Sequence, residues 1–303
     1  MRYGCLVFLC IFFVPLDSFA ELVDETAAQL MVLNKKNSLQ QRINLSSAAL
    51  LGSPYQADAL GEGWTGKYNK NPLYRFDRFD CETYVDTVIA VALAKDFFDF
   101  KKKINRIRYQ RGQIGFVQRN HFPSADWIPN NKRNGYIQEL TYAIGGPQTK
   151  IATALIDRRN WYRRFSINRI QIPYLSTAEK KTLLTQLKEE GMKWANSAKV
   201  SIAYIPVVAL FQNPQLMRRI PTGSLIFLVG HDDYLTSRIG TQMNVLHMGF
   251  AIWEQGQLYL RMASSRVERV LDIRLQNYLK TYQALNILRG ISVWTIRDQQ
   301  KPS

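Results

Sequence analysis

The chain has 303 residues, of which 46% are hydrophobic and 21% charged, so a sizeable packed core is expected and wholesale disorder is excluded. Its 40 Lys and Arg residues outnumber its 24 Asp and Glu residues and give a net charge of +16, which excludes an acidic solvating protein and predicts attraction to a polyanion. Three Cys and three His residues are too few for a disulfide scaffold or a Cys-rich zinc module.

The first twenty residues have the pattern of a signal peptide. Arg2 precedes an apolar run over residues 5–14, Pro15 ends that run, and Ala20 completes a small-x-small cleavage pattern. The run is too short for a stable membrane anchor, which disfavours the alternative of an uncleaved segment. We therefore predict a signal peptide over residues 1–20, a mature chain without a stable membrane anchor, and a periplasmic or secreted location.

Cys81 is the one cysteine left when residues 1–20 are removed. In an oxidising compartment an unpaired thiol is either buried and inert or retained for its reactivity. Asp80 before it has the N-cap residue type, and the positive end of a helix dipole stabilises a thiolate. Apolar and aromatic side chains then recur with the period of an amphipathic helix, at Tyr84, Val85, Val88, Ile89, Ala92 and Leu93. The sequence predicts that Cys81 begins a helix as a candidate nucleophile, with an inert core cysteine as the alternative.

A thiolate nucleophile usually works with a histidine base, and the chain offers three histidines. His231 lies in a polar loop, and His121 lies in an irregular, aromatic segment suited to ligand contact. His247 lies in the second of three predicted strands, which form an antiparallel meander over residues 225–229, 245–253 and 258–263, with a hairpin at Gln255-Gly256. A lone strand histidine is more often a core residue, but a thiol that needs a base makes His247 the preferred candidate.

No metal or cofactor motif is present. The chain lacks HExxH, paired cysteines and a histidine pair at i, i+4, and it has no GxSxG elbow, P-loop or dinucleotide fingerprint. We predict no metal site and no other cofactor.

The mature chain, residues 21–303, is predicted to be a single catalytic domain, because no repeat or Pro/Gly-rich linker divides it. A helical insert is expected at about residues 149–200, with a capping box at Ser176-x-x-Glu179. The insert also carries a basic, aromatic cluster around Trp161. Nucleic-acid binding is one interpretation of this cluster, but an exported protein rarely meets that ligand, so we favour an exposed helix face and predict no nucleic-acid partner.

Several short motifs occur in order between about Leu50 and Arg297. They are Gly52-x-Pro54-Tyr55, Phe79-Asp80-Cys81-Glu82-Thr83-Tyr84-Val85-Asp86, Ile107-Arg108-Tyr109, Arg119-Asn120-His121-Phe122, Asp126-Trp127, Thr222-Gly223-Ser224, His247-Met248-Gly249-Phe250 and Ala263-Ser264-Ser265. The set resembles the NlpC-type papain-like cysteine hydrolases of bacterial cell walls, and more narrowly their N-acetylmuramoyl-L-alanine amidase-like branch. The resemblance implies an α+β, papain-like core whose nucleophile helix packs on an antiparallel sheet, and a peptidoglycan or muropeptide partner.

The resemblance also assigns roles to residues. Cys81 would attack the amide between the muramic acid lactyl group and L-Ala, and His247 would serve as general base and then acid. The candidate substrate-binding residues are Tyr55, Asp80, His121, Asp126 and Trp127. Met262 stands where relatives usually carry a polar residue that orients the base, and a thioether is a poor substitute. Ser264 has the same strand parity and is the candidate orienting residue at the catalytic centre.

Two other functions stay open. The same chemistry could cleave the γ-D-glutamyl–diamino acid peptide bond, which many other NlpC-type enzymes favour. Met262 and the strong positive charge are also compatible with a non-catalytic protein that binds cell walls or other partners. The sequence carries no prediction of oligomeric state.

Overall fold

The computed structural model describes residues 26–32, 35–194, 196–283 and 287–298. The predicted signal peptide, residues 1–20, lies outside these ranges and stays a prediction. None of the helices in the described ranges is long and apolar enough to cross a membrane.

The described strands form one antiparallel sheet with the order β2-β3-β8-β4-β5-β6-β7, and β1 pairs with a further part of β8. The strands are β1 (Ile137–Glu139), β2 (Lys150–Ile156), β3 (Ala198–Pro206), β4 (Ser224–Gly230), β5 (Val245–Glu254), β6 (Gln257–Ser264), β7 (Arg269–Arg274) and β8 (Leu288–Ile296). The predicted meander is therefore confirmed as β4, β5 and β6.

Helices cover both faces of this sheet. Residues 26–32 are helical and are called α1. The others are α2 (Leu39–Ala48), α3 (Cys81–Leu93), α4 (Phe97–Arg108), α5 (Ile128–Arg133), α6 (Thr141–Gly145), α7 (Arg158–Arg163), α8 (Thr177–Trp194), α9 (Val207–Gln212), α10 (Gln215–Arg218), α11 (Asp233–Ile239) and α12 (Leu275–Gln283). The mixture of helices and antiparallel strands confirms the α+β class.

Two apolar cores lie on opposite faces of the sheet. One joins α2, α3 and α4 to side chains of β5 such as Met248 and Phe250. The other joins α9, α10 and α12 to the opposite face, which includes Ala251 and Met262. Because alternate strand residues point to opposite faces, His247 shares the face of Ala251 and is directed towards α12 rather than α3.

Local sequence signals account for the elements nearest the site. Asp80 caps α3 through a capping box, in which its carboxylate accepts from the Thr83 N–H and the Thr83 hydroxyl accepts from the Asp80 N–H. Between β5 and β6, Gln255 and Gly256 both have positive φ, 48° and 73°, as a two-residue hairpin with the twist of the sheet requires.

The predicted insert at about residues 149–200 is helical only in its middle. Its helices are α7 and α8, and α8 begins at the predicted Ser176–Glu179 capping box. Its two ends are β2 and β3, which pair with each other and extend the sheet. A third apolar cluster around Trp161, Phe165 and Leu187 joins the insert to the loops near Tyr68 and Phe116.

Candidate functional site

Cys81 is the first residue of α3 and keeps part of its surface exposed. It is a free cysteine at the edge of the core that α3 forms with the sheet. The two alternatives drawn from the sequence were a nucleophile and an inert core thiol. Partial exposure at a helix N-terminus is the arrangement that reactive thiols have, whereas inert ones are fully buried.

The surroundings of Cys81 favour the thiol over the thiolate. Burial raises the pKa of Cys81 above its ordinary value, and the carboxylates of Asp80 and Glu82 raise it further. Backbone N–H groups at the start of the helix lower the pKa, but their effect is smaller. The start of the helix does stabilise the Cys81 thiolate, as expected. Burial and the two carboxylates outweigh this stabilisation.

His247 lines a cavity of about 280 Å³ on the α12 face of the sheet. We call it the His247 cavity; its other walls include Met262, Ser264, Arg266 and Tyr278. Burial lowers the pKa of His247 to about 4, so its imidazole is neutral at pH 7 and free to accept a proton.

The atom beside the His247 ring is the sulfur of Met262. His247 Nε2 lies 2.9 Å from Met262 Sδ, on the neighbouring strand. The Ser264 hydroxyl lines the same cavity, but it accepts a hydrogen bond from the Val267 N–H at 3.3 Å. Met262 rather than Ser264 therefore occupies the position of an orienting partner in this structure.

Cys81 and His247 approach the same region from the two faces of the sheet. The β6–β7 turn supplies walls of the His247 cavity, and it also hydrogen-bonds to Tyr55, which bridges to Phe79 just before Cys81. No hydrogen bond joins Cys81 to His247 within the part of the chain that the structure describes, and the pairing of the two residues stays a prediction.

Two tyrosines connect the thiol with this region. Burial raises the pKa of the Tyr55 phenol, and the next largest cause is the nearby Cys81. Burial and Tyr282 raise the pKa of Tyr278, and Cys81 adds to that effect. Tyr278 is thus a wall of the His247 cavity and also lies within electrostatic range of the thiol. Tyr55 was predictable from its motif, whereas Tyr278 was not, because no local motif surrounds it.

The predicted substrate residues fall into three places. Tyr55 lies near Cys81, as expected, and Asp80 serves as the cap of α3. His121 and Asp126 line a separate cavity of about 460 Å³, which we call the His121 cavity. Trp127 is 0% exposed and donates through Nε1 to Asp86 Oδ1 at 2.7 Å. Trp127 is a core residue in this structure, and its predicted role in substrate binding stays a prediction.

The His121 cavity is basic. His121 packs between the rings of Phe116 and Trp161, and its Nε2 lies 2.7 Å from the Phe116 carbonyl oxygen. Burial and then the Arg119 guanidinium lower the pKa of His121 well below its ordinary value, so the ring is neutral. Asp126 forms an ion pair with Arg158. These contacts give the His121 ring and the Asp126 carboxylate polar partners within the protein, without a ligand.

The residues described by the structure contain no group of three or more His, Cys, Asp or Glu side chains suited to a metal ion.

One family model matches most of the chain. It is the AmiA-like model, described as N-acetylmuramoyl-L-alanine amidase-like, and it matches residues 45–287. No curated protein matches the chain.

Solved structures share the fold over nearly the whole chain. Protein LPG0564 from Legionella pneumophila, of a family of unknown function, is 32% identical, covers 92% of this chain and 96% of its own, and has a TM-score of 0.88. A Bacteroides fragilis protein provisionally described as a xylanase is 26% identical over 82% of this chain and 98% of its own, with a TM-score of 0.59. An N-acetylmuramoyl-L-alanine amidase from Bacteroides uniformis is 24% identical, covers 83% of this chain and 97% of its own, and also has a TM-score of 0.59. This likeness supports the fold alone.

Proposed function

The chain belongs to the N-acetylmuramoyl-L-alanine amidase-like family, and from this premise we propose that it is a cysteine hydrolase that cleaves the amide between N-acetylmuramic acid and L-Ala in peptidoglycan or its fragments. We include in the proposal an NlpC-type, papain-like catalytic core and a periplasmic or secreted location. Membership of the family supports hydrolysis of peptidoglycan amides. The cysteine mechanism and the periplasmic or secreted location are proposed from the sequence.

One observation carries the proposal. The partly exposed Cys81 begins a capped helix beside the β6–β7 turn. His247 lines a cavity at the same turn, and Tyr278, which forms one wall of that cavity, lies within electrostatic range of the Cys81 thiol. The proposal requires Cys81 and His247 to reach one substrate carbonyl, because amide hydrolysis by a cysteine enzyme needs a nucleophile and a base at the same carbon.

Acylation would begin with both groups neutral. The Cys81 sulfur attacks the lactyl carbonyl carbon while His247 takes the thiol proton, which forms a tetrahedral oxyanion. Backbone N–H groups at the start of α3 already point at the sulfur, and they can donate to the oxyanion. His247 then returns the proton to the L-Ala nitrogen, the C–N bond breaks, and the stem peptide leaves as an amine.

Deacylation would follow the same path with water. His247 takes a proton from the water molecule as its oxygen attacks the thioester carbon, and the collapse of the second tetrahedral species breaks the C–S bond. The products are the Cys81 thiol, which recovers its proton from His247, and a muramic acid carboxyl group, which releases its own proton to solvent.

A muropeptide digest tests this proposal. The purified protein is incubated with disaccharide-tetrapeptides, and the products are analysed by mass spectrometry. Intact disaccharide and a free stem peptide beginning with L-Ala support the amidase. A disaccharide that retains L-Ala and D-Glu would instead identify the γ-D-glutamyl–diamino acid endopeptidase. No turnover, or turnover unchanged in Cys81→Ala, overturns the cysteine mechanism.

A non-catalytic wall-binding protein is the second candidate. It is favoured by the Met262 contact with His247, by the raised pKa of Cys81, and by the net charge of +16. Retention on insoluble peptidoglycan, equal in wild type and Cys81→Ala and without release of fragments, would support it.

A further inference from the structure

A cavity of about 550 Å³ lies between two loops and the end of α8. We call it the Glu62 cavity: the first loop contributes Glu62 and Tyr68, the second contributes Gln118, and the helix contributes Trp194. Its volume is within the range of small-molecule sites, roughly 300–1,000 Å³. It shares no lining residue with the His247 cavity.

One buried polar atom in the wall of this cavity, Glu62 Oε2, lacks a hydrogen-bond partner among the described residues. Glu62 is 2% exposed, and its Oε1 accepts from Arg119 Nε at 3.0 Å, whereas its Oε2 has no donor. The buried Tyr68 hydroxyl, by contrast, lies beside Glu190 and Lys67, which interact with it. Buried polar groups are costly when unpaired, so a molecule that brings a hydrogen-bond donor would complete the Glu62 carboxylate.

Trp194 gives the cavity an exposed aromatic wall. Its side chain is 67% exposed and stands between the Glu62 cavity and the His121 cavity, since it lines both. An exposed indole is a platform for the apolar face of a ligand.

The charges around the cavity are largely matched. Glu62 forms an ion pair with Arg119, and Lys67 forms one with Glu190, beside which Lys193 also lies. The ion pair with Arg119 already neutralises the Glu62 carboxylate, which disfavours a cationic ligand. The unpaired Oε2 of Glu62 would repel an anionic ligand. A neutral molecule rich in hydrogen-bond donors fits this balance.

We propose that the Glu62 cavity binds a neutral saccharide unit and, resting on the proposed function, that this unit is an N-acetylhexosamine of the muropeptide glycan. Its hydroxyl and acetamido N–H groups supply donors for Glu62 Oε2. The C–H face of the sugar ring packs on Trp194.

Arg119 connects this cavity with the nucleophile helix. Its guanidinium holds Glu62, and it also opposes the rise that burial causes in the pKa of Glu82, the residue after Cys81. Arg108 gives a geometric link, because it donates to the Gly61 carbonyl, next to Glu62, and its Nε lies 3.8 Å from the Asp86 carboxylate on α3. The loop that carries Glu62 is therefore held against α3. A sugar held there keeps the substrate on the side of the molecule that carries Cys81.

Calorimetric titration of the β-1,4-linked GlcNAc disaccharide, which is neutral and carries neither peptide nor lactyl carboxylate, tests the inference. The full chain with Cys81→Ala serves as the parent, so binding is measured without cleavage. Trp194→Ala should weaken disaccharide binding about tenfold, and Trp194→Phe should retain most of it. Phe98→Ala is the matched control, because Phe98 on α4 is equally exposed, at 67%, and lines none of the three cavities named above. Glu62→Gln, which keeps the side-chain shape, should also weaken binding.

The outcomes separate this inference from the proposed activity. No disaccharide binding at millimolar concentration, or binding unchanged in both Trp194→Ala and Glu62→Gln, overturns the saccharide site even if muropeptides are cleaved. Binding that depends on Trp194 supports the site. If the wild type then releases no stem peptide from muropeptides, the proposed activity fails and the site stands.

Discussion

The imidazole of His247 meets a thioether: its Nε2 lies 2.9 Å from the sulfur of Met262. Sulfur accepts hydrogen bonds weakly and donates none, so the contact is favourable only when Nε2 carries the proton. The Nδ1 atom is then left with the lone pair that a general base needs. Met262 fixes the tautomer of His247, but it offers no charge to stabilise the imidazolium that forms during attack.

Replacement of Met262 by a stronger acceptor should therefore speed catalysis. Met262→Gln has similar length and places a carbonyl oxygen beside Nε2, which raises the pKa of His247 from about 4 and stabilises the imidazolium. We expect kcat on muropeptides to rise by up to about tenfold, and the acid limb of the pH–rate profile to move to higher pH. Met262→Leu, which keeps the volume without the acceptor, should lower kcat. An unchanged acid limb in Met262→Gln would show that this contact does not tune the base.

Removal of the Cys81 sulfur should abolish cleavage and leave the fold intact. Cys81 is partly exposed at a helix start, so Cys81→Ala creates no sizeable cavity and keeps a good helix former. We expect peptide release to fall by at least about a thousandfold, as the loss of a nucleophile does in other hydrolases, with an unchanged thermal unfolding curve. Release that survives in folded Cys81→Ala would assign the chemistry to another group.

Asp80 holds two roles that a pair of substitutions separates. Its carboxylate caps α3, and its charge contributes to raising the pKa of Cys81. Asp80→Asn keeps an oxygen for the Thr83 N–H and removes the charge, so the pKa of Cys81 should fall and iodoacetamide should alkylate the thiol faster at pH 7 to 8. Asp80→Ala removes the cap as well and should cost about 1 kcal/mol of unfolding free energy in urea titrations. Equal alkylation rates in Asp80→Asn and wild type would contradict an electrostatic role for this carboxylate.

The local features of the site were predictable, because each follows from a short stretch of sequence. The cap at Asp80, the start of α3 at Cys81 and the hairpin at Gln255-Gly256 all follow from residue type and period. The face of the sheet that His247 occupies was not predictable. It depends on strand register, and β4 and β5 shift register between Leu228 and Val229, next to this histidine.

The differences between the sequence prediction and the structure have a common physical origin in tertiary pairing. Residues 150–156 and 198–206 become strands because they pair with each other across the insert, and their separation along the chain conceals that pairing. Trp127 looked like a ligand contact beside Asp126, but it is buried against Phe227 and its indole N–H finds a buried carboxylate. A polar neighbour in sequence does not show which way an aromatic side chain points.

The core role of Trp127 predicts a loss of stability without a loss of substrate affinity. Trp127→Phe leaves part of the ring volume empty and removes the hydrogen bond to Asp86, whose carboxylate is fully buried. Both effects destabilise the fold, and we expect a loss of about 2–4 kcal/mol in urea unfolding. KM of the folded fraction should equal that of wild type. A raised KM at unchanged stability would restore Trp127 as a substrate contact.

His247 should make the stability of the protein fall as the solution is acidified. Burial holds its pKa at about 4 in the folded chain, whereas an unfolded histidine titrates near its ordinary value of about 6.5. Between these two values the unfolded chain binds a proton that the folded chain does not, so the contribution of His247 is fully present above pH 6.5 and is lost as the pH falls towards 4. The full loss is about 3 kcal/mol. The buried acid Asp86, whose pKa burial raises to about 7, acts in the opposite direction over the same range, so total stability conceals the effect. The difference in unfolding free energy between wild type and His247→Gln isolates it: the wild type should lose stability relative to the variant from pH 6.5 to 4.5, whereas Cys81→Ala should follow the wild type throughout. Parallel curves for wild type and His247→Gln would show that the imidazole is not held neutral by burial.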